Sequence, residues 1–275
     1  MDNDILRSEP LSLDASNPKI LTTSRPTVAP FARALSVLAA FTPSDRWLSN
    51  SDLAKRSQLP ASTITRMTRT LVTLGYLRMA PDSRRFCLSP SALALGYRAA
   101  ADAEIDLADN QRMSTFAERH QVHVNLCTRD RLDLVVIDSC RTSAFPASLQ
   151  LGIGARMDLA SSAAGWALLA SLPDAERRYL IRNAENQPRC ELRKLRMQSN
   201  EAIGQVRQGG FCVAPGKSGQ PMTMVAAPIQ LNDHSTLALS CSGPAKLMGH
   251  ARTVRDLGPA LVRMAQEIKL SRERL

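Results

Sequence analysis

Apolar residues recur at steps of three and four in two stretches near the N-terminus, the spacing that places side chains on one buried face of a helix. In the first stretch, residues 29–41, they are Phe31, Leu35, Leu38 and Phe41. In the second, residues 61–74, they are Ile64, Met67, Leu71 and Leu74. The pattern predicts two helices that pack these faces into one core, the first ending near Pro43.

A shorter helix is predicted between these two. Residues 49–52 read Ser-Asn-Ser-Asp, in which a serine hydroxyl can accept the amide of the residue three positions later while the aspartate reaches back, a capping box. The helix then covers 51–57, and residues 58–60, ending in Pro60, form a turn. Two short helices joined by a tight turn, after a longer supporting helix, form a helix-turn-helix.

Two strand-like runs follow Gly75. Residues 76–79 and 86–88 are largely apolar, and residues 80–85 between them contain Pro, Asp and Ser, an order that predicts a strand, a turn and a returning strand. Such a hairpin after a helix-turn-helix is a wing. We expect Arg84 and Arg85 at its tip to contact the phosphate backbone or the minor groove.

The remainder of the chain predicts a mixed domain of strands and helices. Residues 123–127, 132–137 and 236–240 are strand-like, because β-branched and apolar residues dominate them. Residues 91–120 are rich in Ala and predict a helical linker. A closing helix is predicted over 254–270, with Leu257, Leu261, Met264 and Ile268 on its apolar face. Residues 1–27 show no period and predict a disordered arm.

Positive charge is concentrated in the helix-turn-helix region. The chain carries a formal net charge of +10, and residues 28–90 contain nine Lys and Arg against three Asp and no Glu, a net charge of +6. The polar face of the helix predicted over 61–74 has no acid, and it carries Ser62, Thr63, Thr65, Arg66, Arg69, Thr70 and Thr73. Hydroxyls and guanidinium groups without acids suit the major groove of duplex DNA.

Other features of the sequence indicate the cellular compartment and argue against a metal site. No run approaches the roughly 18 apolar residues of a membrane span, and residues 1–30 lack an apolar signal core, so we expect a cytoplasmic protein without membrane contact. The cysteines are scattered and predict buried thiols; they are Cys87, Cys127, Cys140, Cys190, Cys212 and Cys241. His120 and His123 could share a metal, but no Cys or carboxylate lies at a matching spacing, and we predict neither metal nor cofactor.

The succession of motifs resembles the IclR family of transcriptional regulators over residues 29–270. In the N-terminal part, the matching motifs are Ala-Leu-Ser-Val-Leu at 34–38, Leu-Ala at 53–54, the whole stretch 59–67, Thr-Leu at 70–71 and Gly-Tyr-Leu at 75–77. In the C-terminal part it runs through Leu-Gly-Ile-Gly-Ala-Arg at 151–156, the stretch 163–170, Gly-Gly-Phe at 209–211, Val-Ala-Ala-Pro-Ile at 225–229 and 239–244.

The resemblance implies a C-terminal domain with a GAF-like antiparallel sheet that binds a small organic effector. The positions it places against the ligand are Ala163, Ala164, Met224, Ser240 and Ser242. Each could instead serve packing alone. The chain departs from the family in two places: Gly165 is followed by Trp where Lys is usual, and residues 214–219 replace a usual acidic run with a stretch that includes Lys217. Lys217 could bind an anionic ligand, or it could be an ordinary lysine on the protein surface.

The fold class predicted is α/β (α+β). An arm over 1–27 precedes a winged helix-turn-helix over 28–90, a helical linker over 91–120 and an effector-binding domain over 121–275. We expect a homodimer, or a dimer of dimers, that binds double-stranded operator DNA and responds to a small molecule such as an organic or aromatic acid. The interpretation favours a repressor, with an activator as the alternative.

Two other classes of protein fit the sequence less well. An enzyme with a DNA-binding head would use Cys127, near His123, as its first candidate nucleophile, and we expect no such activity. A single-strand binder would stack bases on exposed aromatic residues, but all aromatic residues together make up only 4% of this chain.

Overall fold

The computed structural model describes residues 28–42, 45–102, 107–142, 151–185, 192–214, 222–233 and 235–274. The predicted arm, Cys190 and Lys217 lie outside these residues. One hydrophobic core lies in the N-terminal part and two lie on the faces of a C-terminal sheet. The mixed helix and strand class is confirmed.

The N-terminal core is enclosed by three helices and a small sheet. The helices are α1 (Ala29–Ala39), α2 (Asn50–Ser57) and α3 (Ala61–Thr73), and the strands are β1 (Leu48–Ser49), β2 (Leu77–Met79) and β3 (Arg85–Leu88). The strands are antiparallel in the order β1-β3-β2. The predicted winged helix-turn-helix is therefore present.

The capping box starts α2 as predicted. The Ser49 hydroxyl accepts the Asp52 amide at 3.2 Å, and the Asp52 carboxylate accepts the Ser49 amide at 2.9 Å. Gln58 then adopts a left-handed conformation at φ 55°, which turns the chain towards α3. The cap satisfies amides that α2 itself cannot pair.

Two apolar faces were predicted incorrectly in part. Phe31 and Leu35 are 66% and 49% exposed, whereas Val37 and Ala40 are buried, so the inner face of α1 lies nearer its C-terminal end than the periodicity indicated. Leu74 is also exposed. It is the residue after the last turn of α3, and Gly75 at φ 79° then redirects the chain into β2.

The predicted linker contains two helices, α4 (Pro90–Asp102) and α5 (Leu107–His120). Within α5, Met113, Phe116 and Ala117 are buried in the same core as strand residues of the C-terminal sheet. The second half of the predicted linker is therefore part of the packed C-terminal domain, because its apolar stripe covers one face of the sheet.

In the part of the chain that the structure describes, the C-terminal domain contains six antiparallel strands, in agreement with the expected GAF-like sheet. They are β4 (His123–Asp130), β5 (Asp133–Cys140), β6 (Arg156–Asp158), β7 (Cys212–Ala214), β8 (Met222–Gln230) and β9 (Thr236–Pro244), in the order β6-β5-β4-β9-β8-β7. Strands β4 and β9 lie at the centre although more than 100 residues separate them.

Helices cover both faces of this sheet. One face packs against α5 and α9 (Gly258–Arg272), and the other packs against α6 (Ala163–Ser171). Helices α7 (Asp174–Glu185) and α8 (Leu192–Gly209) complete this second side. A π-helical turn, Arg252–Leu257, leads into α9, and the predicted apolar positions Leu257, Leu261, Met264 and Ile268 are all buried.

Candidate DNA and effector sites

The side chains of α3 divide into a buried back and an exposed front. Ile64, Met67 and Leu71 lie in the N-terminal core. Arg66 and Arg69 are exposed on the front, and among the described residues neither makes an ion pair. Their guanidinium groups are therefore available to an external anion or base edge.

The threonine hydroxyls of this front are already engaged with the helix. Thr65, Thr70 and Thr73 donate to the carbonyls four residues earlier at 3.0, 3.0 and 3.1 Å. A phosphate accepts hydrogen bonds, so these hydroxyls would have to leave their carbonyls to donate to it. The arginines therefore provide the ready donors, with Ser62 exposed and Thr63 half-buried in the first turn.

The wing presents a second basic surface. Arg84 and Arg85 are exposed, and Arg85 begins β3 opposite Ser49 of β1. Arg56 in α2 differs, because it binds Asp45 and the carbonyl of Ala40. The hydrogen bond to Asp45 raises the pKa of the Arg56 guanidinium. Arg56 thus ties helices together, while α3 and the wing carry arginines that face outward.

All five predicted effector positions lie on one side of the C-terminal domain. In the sheet, Ser242 is opposite Met224 of β8 on one side and opposite His123 of β4 on the other. Ser240 is two residues along the same strand, so it shares this face. Ala163 and Ala164 begin α6, which packs against the same face.

This face also contains a polar cluster that the sequence analysis did not predict as a unit. We define the polar face as His123, Asn125, Ser139, Ser240 and Ser242. Register places Asn125 between Ser139 and Ser240, and apart from Ser139 all are buried. The signal was present in β4, where His123 and Asn125 alternate with apolar residues, because alternate residues of a strand share a face.

Several groups of the polar face converge on one carbonyl. Nε2 of His123 lies 3.0 Å from the Leu151 oxygen, and the Ser139 hydroxyl donates to the same oxygen at 3.0 Å. Turned with its nitrogen inward, the Asn125 amide lies 3.1 Å from it as well. Burial lowers the pKa of His123, so the ring is neutral at pH 7 and its Nε2–H form donates to Leu151.

The start of α6 is held tightly against the sheet. A Cβ on Gly165 would lie 1.9 Å from the Leu159 oxygen, so only glycine permits this approach of helix and loop. The Ser162 hydroxyl accepts the Gly165 amide at 3.1 Å, and the Cys212 thiol contacts the Ala163 carbonyl at 3.3 Å. The positive end of the helix dipole therefore has a fixed position beside the sheet.

The candidate nucleophile does not have the environment that nucleophilic chemistry requires. Cys127 is fully buried, and burial raises the pKa of its thiol to about 12. The thiol is therefore protonated at neutral pH and is a poor nucleophile. Cys212 and Cys241 are also buried with a pKa of about 12, as expected for structural thiols.

Two family models match the chain. The IclR helix-turn-helix domain matches residues 31–81, and the bacterial transcriptional regulator IclR C-terminal domain matches residues 98–270. The chain belongs to the IclR family of transcriptional regulators. The resemblance found in the motifs is thus confirmed, and this IclR-family regulator combines a DNA-binding helix-turn-helix with a ligand-binding C-terminal domain.

Individual IclR relatives match nearly the whole chain. The HTH-type transcriptional regulator TsaQ1/TsaQ2 of Comamonas testosteroni is 28% identical over 86% of each chain. The crystal structure of an IclR-family regulator from Brucella abortus is 28% identical, with a TM-score of 0.74 over 94% of this chain and 98% of that one.

A more distant structure shares the fold. An IclR homologue from Microbacterium hydrocarbonoxydans, solved in complex with 4-hydroxybenzoate, is 20% identical, with a TM-score of 0.68 over 89% of this chain and 99% of that one. Within the described residues of the IclR-family chain, no helix is long and apolar enough to cross a bilayer, and no group of three potential metal ligands occurs.

Proposed function

We propose that this regulator is a cytoplasmic repressor that binds operator DNA as a homodimer and releases it when an organic acid occupies the polar face. The acid-free front of α3 is the observation that carries the proposal, because Arg66 and Arg69 are exposed there without internal partners. Ser62, Thr63, Thr65 and Thr70 would flank them, and Arg84 and Arg85 would follow the backbone. We propose repression as the sign of regulation, with activation as the alternative.

The direct test is binding to duplex DNA. We expect selection from genomic fragments to recover a partly palindromic site, with half-sites about one helical turn apart. Fluorescence anisotropy should show a steep loss of affinity with salt and a preference for duplex over single strand. Equal affinity for a single strand of the same sequence would contradict the proposal.

Exposed apolar residues support the dimer. Phe31 and Leu35 on α1 and Leu93 and Leu95 on α4 are 49–72% exposed. Large apolar side chains exposed on helices commonly mark a protein interface, and a two-fold operator requires two DNA-binding heads. We propose a second copy of this chain as the occupant.

Replacing Phe31 and Leu35 together with glutamate should weaken dimerisation at least about tenfold, because charges would be buried in an apolar contact. Sedimentation velocity over a dilution series measures the effect. Tyr179→Glu, which changes an exposed residue of α7, is the control and should leave the dimer intact. An unchanged dissociation constant in the double variant would exclude α1 from the interface.

The polar face supports an aromatic or other organic acid as effector. An effector carboxylate in place of the Leu151 carbonyl would accept hydrogen bonds from neutral His123 and Asn125, with the two serines beside them. Met224 and Ala226 would supply apolar contact. The positive end of α6 favours a carboxylate. The ligand of the Microbacterium homologue, 4-hydroxybenzoate, is the first compound to test.

We expect Ser242→Ala to raise the concentration of 4-hydroxybenzoate needed for half-maximal release of DNA by about threefold to tenfold, the loss of one hydrogen bond. DNA affinity without ligand should not change. Ser235→Ala, at an exposed turn, is the matched control. If Ser242→Ala and Ser240→Ala both keep the wild-type response, the effector binds elsewhere.

A further inference from the structure

A basic groove lies on the opposite side of the sheet from the polar face. We define it as the cleft between the end of α5, the π-helical turn and the start of α9, with a volume of about 440 Å³. The sheet separates it from the polar face, because α5 and α9 pack on the other side. Its lining includes Arg119, His120, Arg252, Arg255, Asp256 and Arg263.

Three of these arginines lack a salt bridge to any carboxylate in the described part of the domain. Arg119, Arg255 and Arg263 are exposed, and among the described residues none of them makes an ion pair. Other arginines of the domain do, as Arg129 with Glu176 and Arg177 with Asp174 show. The groove therefore concentrates positive charge around a single lining acid.

Helix stability accounts for only part of this positive charge. A cation near the C-terminus of α5 is favourable, which explains Arg119 and the contact of Arg252 with the His120 carbonyl. Arg255 and Arg263, however, lie before the last turn of the continuous helical stretch 252–272, so the helix dipole does not stabilise them in this way. π-helical turns are rare and are frequently found at functional sites.

The groove is also partly organised in advance. The Arg252 guanidinium donates to the Leu247 carbonyl at 2.7 Å as well as to His120, which fixes its position. Burial and then the charges of Arg119, Arg252 and Arg263 lower the pKa of His120, against the opposing effect of Asp256. The arginines therefore make the electrostatic potential positive at the His120 ring.

We infer that the basic groove binds a small anion with two or more phosphate groups, as a second ligand of this regulator. Arginine forks match phosphate oxygens in pairs, and several forks around one cleft suit several phosphates. The volume falls in the range of small-molecule sites, and Pro259 and Ala260 add an apolar patch to its lining. The ligand would be a phosphorylated metabolite or a nucleotide.

Inorganic pyrophosphate is the probe, titrated into the full-length, DNA-free protein by calorimetry at low ionic strength. We expect saturable binding that Arg119→Ala/Arg263→Ala weakens about tenfold or more. Arg178→Ala/Arg182→Ala removes the same charge from exposed positions on α7 and should bind as the wild type does. Arg66→Ala/Arg69→Ala should also retain binding.

The titration of His120 gives an independent readout by NMR. A bound polyanion offsets the nearby arginines, so pyrophosphate should raise the pKa of His120 and leave that of His123, on the other face, unchanged. The inference would be overturned if pyrophosphate did not bind, or if the α7 variant weakened pyrophosphate binding as much as the groove variant does. It would also be overturned if only the Arg66/Arg69 variant lost pyrophosphate binding. None of these results bears on whether α3 reads the operator.

Discussion

Substitution of Arg66 or Arg69 with alanine is expected to weaken operator binding by about 1–3 kcal/mol each, or roughly fivefold to 150-fold, if that side chain pairs with a base. The expectation rests on their exposure, the absence of acids on the α3 front, and the engagement of the neighbouring threonine hydroxyls with the helix. Fluorescence anisotropy with specific and scrambled duplexes distinguishes contacts to bases from contacts to phosphates. A base contact lowers affinity for the specific duplex alone, whereas a phosphate contact lowers both and reduces the salt slope by about one.

Arg33→Ala is the matched control for these variants. Arg33 is an exposed arginine of the same domain, on α1, and its loss removes the same charge without altering α3. We expect a small, sequence-independent change. Wild-type affinity in Arg66→Ala, in Arg69→Ala and in the double variant would remove α3 from the role of reader.

The N-terminal domain could be predicted largely from local signals. The capping box, the turn at Gln58 and the hairpin each depend on residues a few positions apart, and the structure contains all three. The inner face of α1 could not be predicted, because that helix carries apolar residues on two sides. Periodicity detects both sets but does not show which one packs against its own core and which remains for a partner.

The C-terminal domain shows where local signals end. The strands were visible, but their order joins β4 to β9 across more than 100 residues, and no short-range pattern encodes that pairing. Asn125 was overlooked, and His123 was considered only as a metal ligand or a catalytic partner, because the role of both comes from their neighbours Ser240 and Ser242 in the sheet. The five proposed effector residues came from family resemblance, and their role remains a prediction.

A buried ion pair joins the two ends of the C-terminal domain. Arg272 in α9 donates to Asp109 in α5 at 2.9 Å, and the two side chains are 4% and 1% exposed. Asp109 also accepts from Arg112 at 3.1 Å. Because α5 forms the second half of the predicted linker, this pair fixes the element through which the effector domain would act on the DNA-binding heads.

Asp109→Ala is expected to lower the free energy of unfolding of the C-terminal domain by about 3–5 kcal/mol, because it leaves the Arg272 charge buried without its carboxylate. The double substitution Asp109→Leu/Arg272→Met removes both charges and should recover most of that loss. Glu176→Ala, which breaks the exposed pair with Arg129, is the control and should cost no more than about 1 kcal/mol. Urea unfolding in a Trp47→Phe background lets buried Trp166 report this domain alone. If the double variant stays as unstable as Asp109→Ala, lost packing and not the unpaired charge explains the effect.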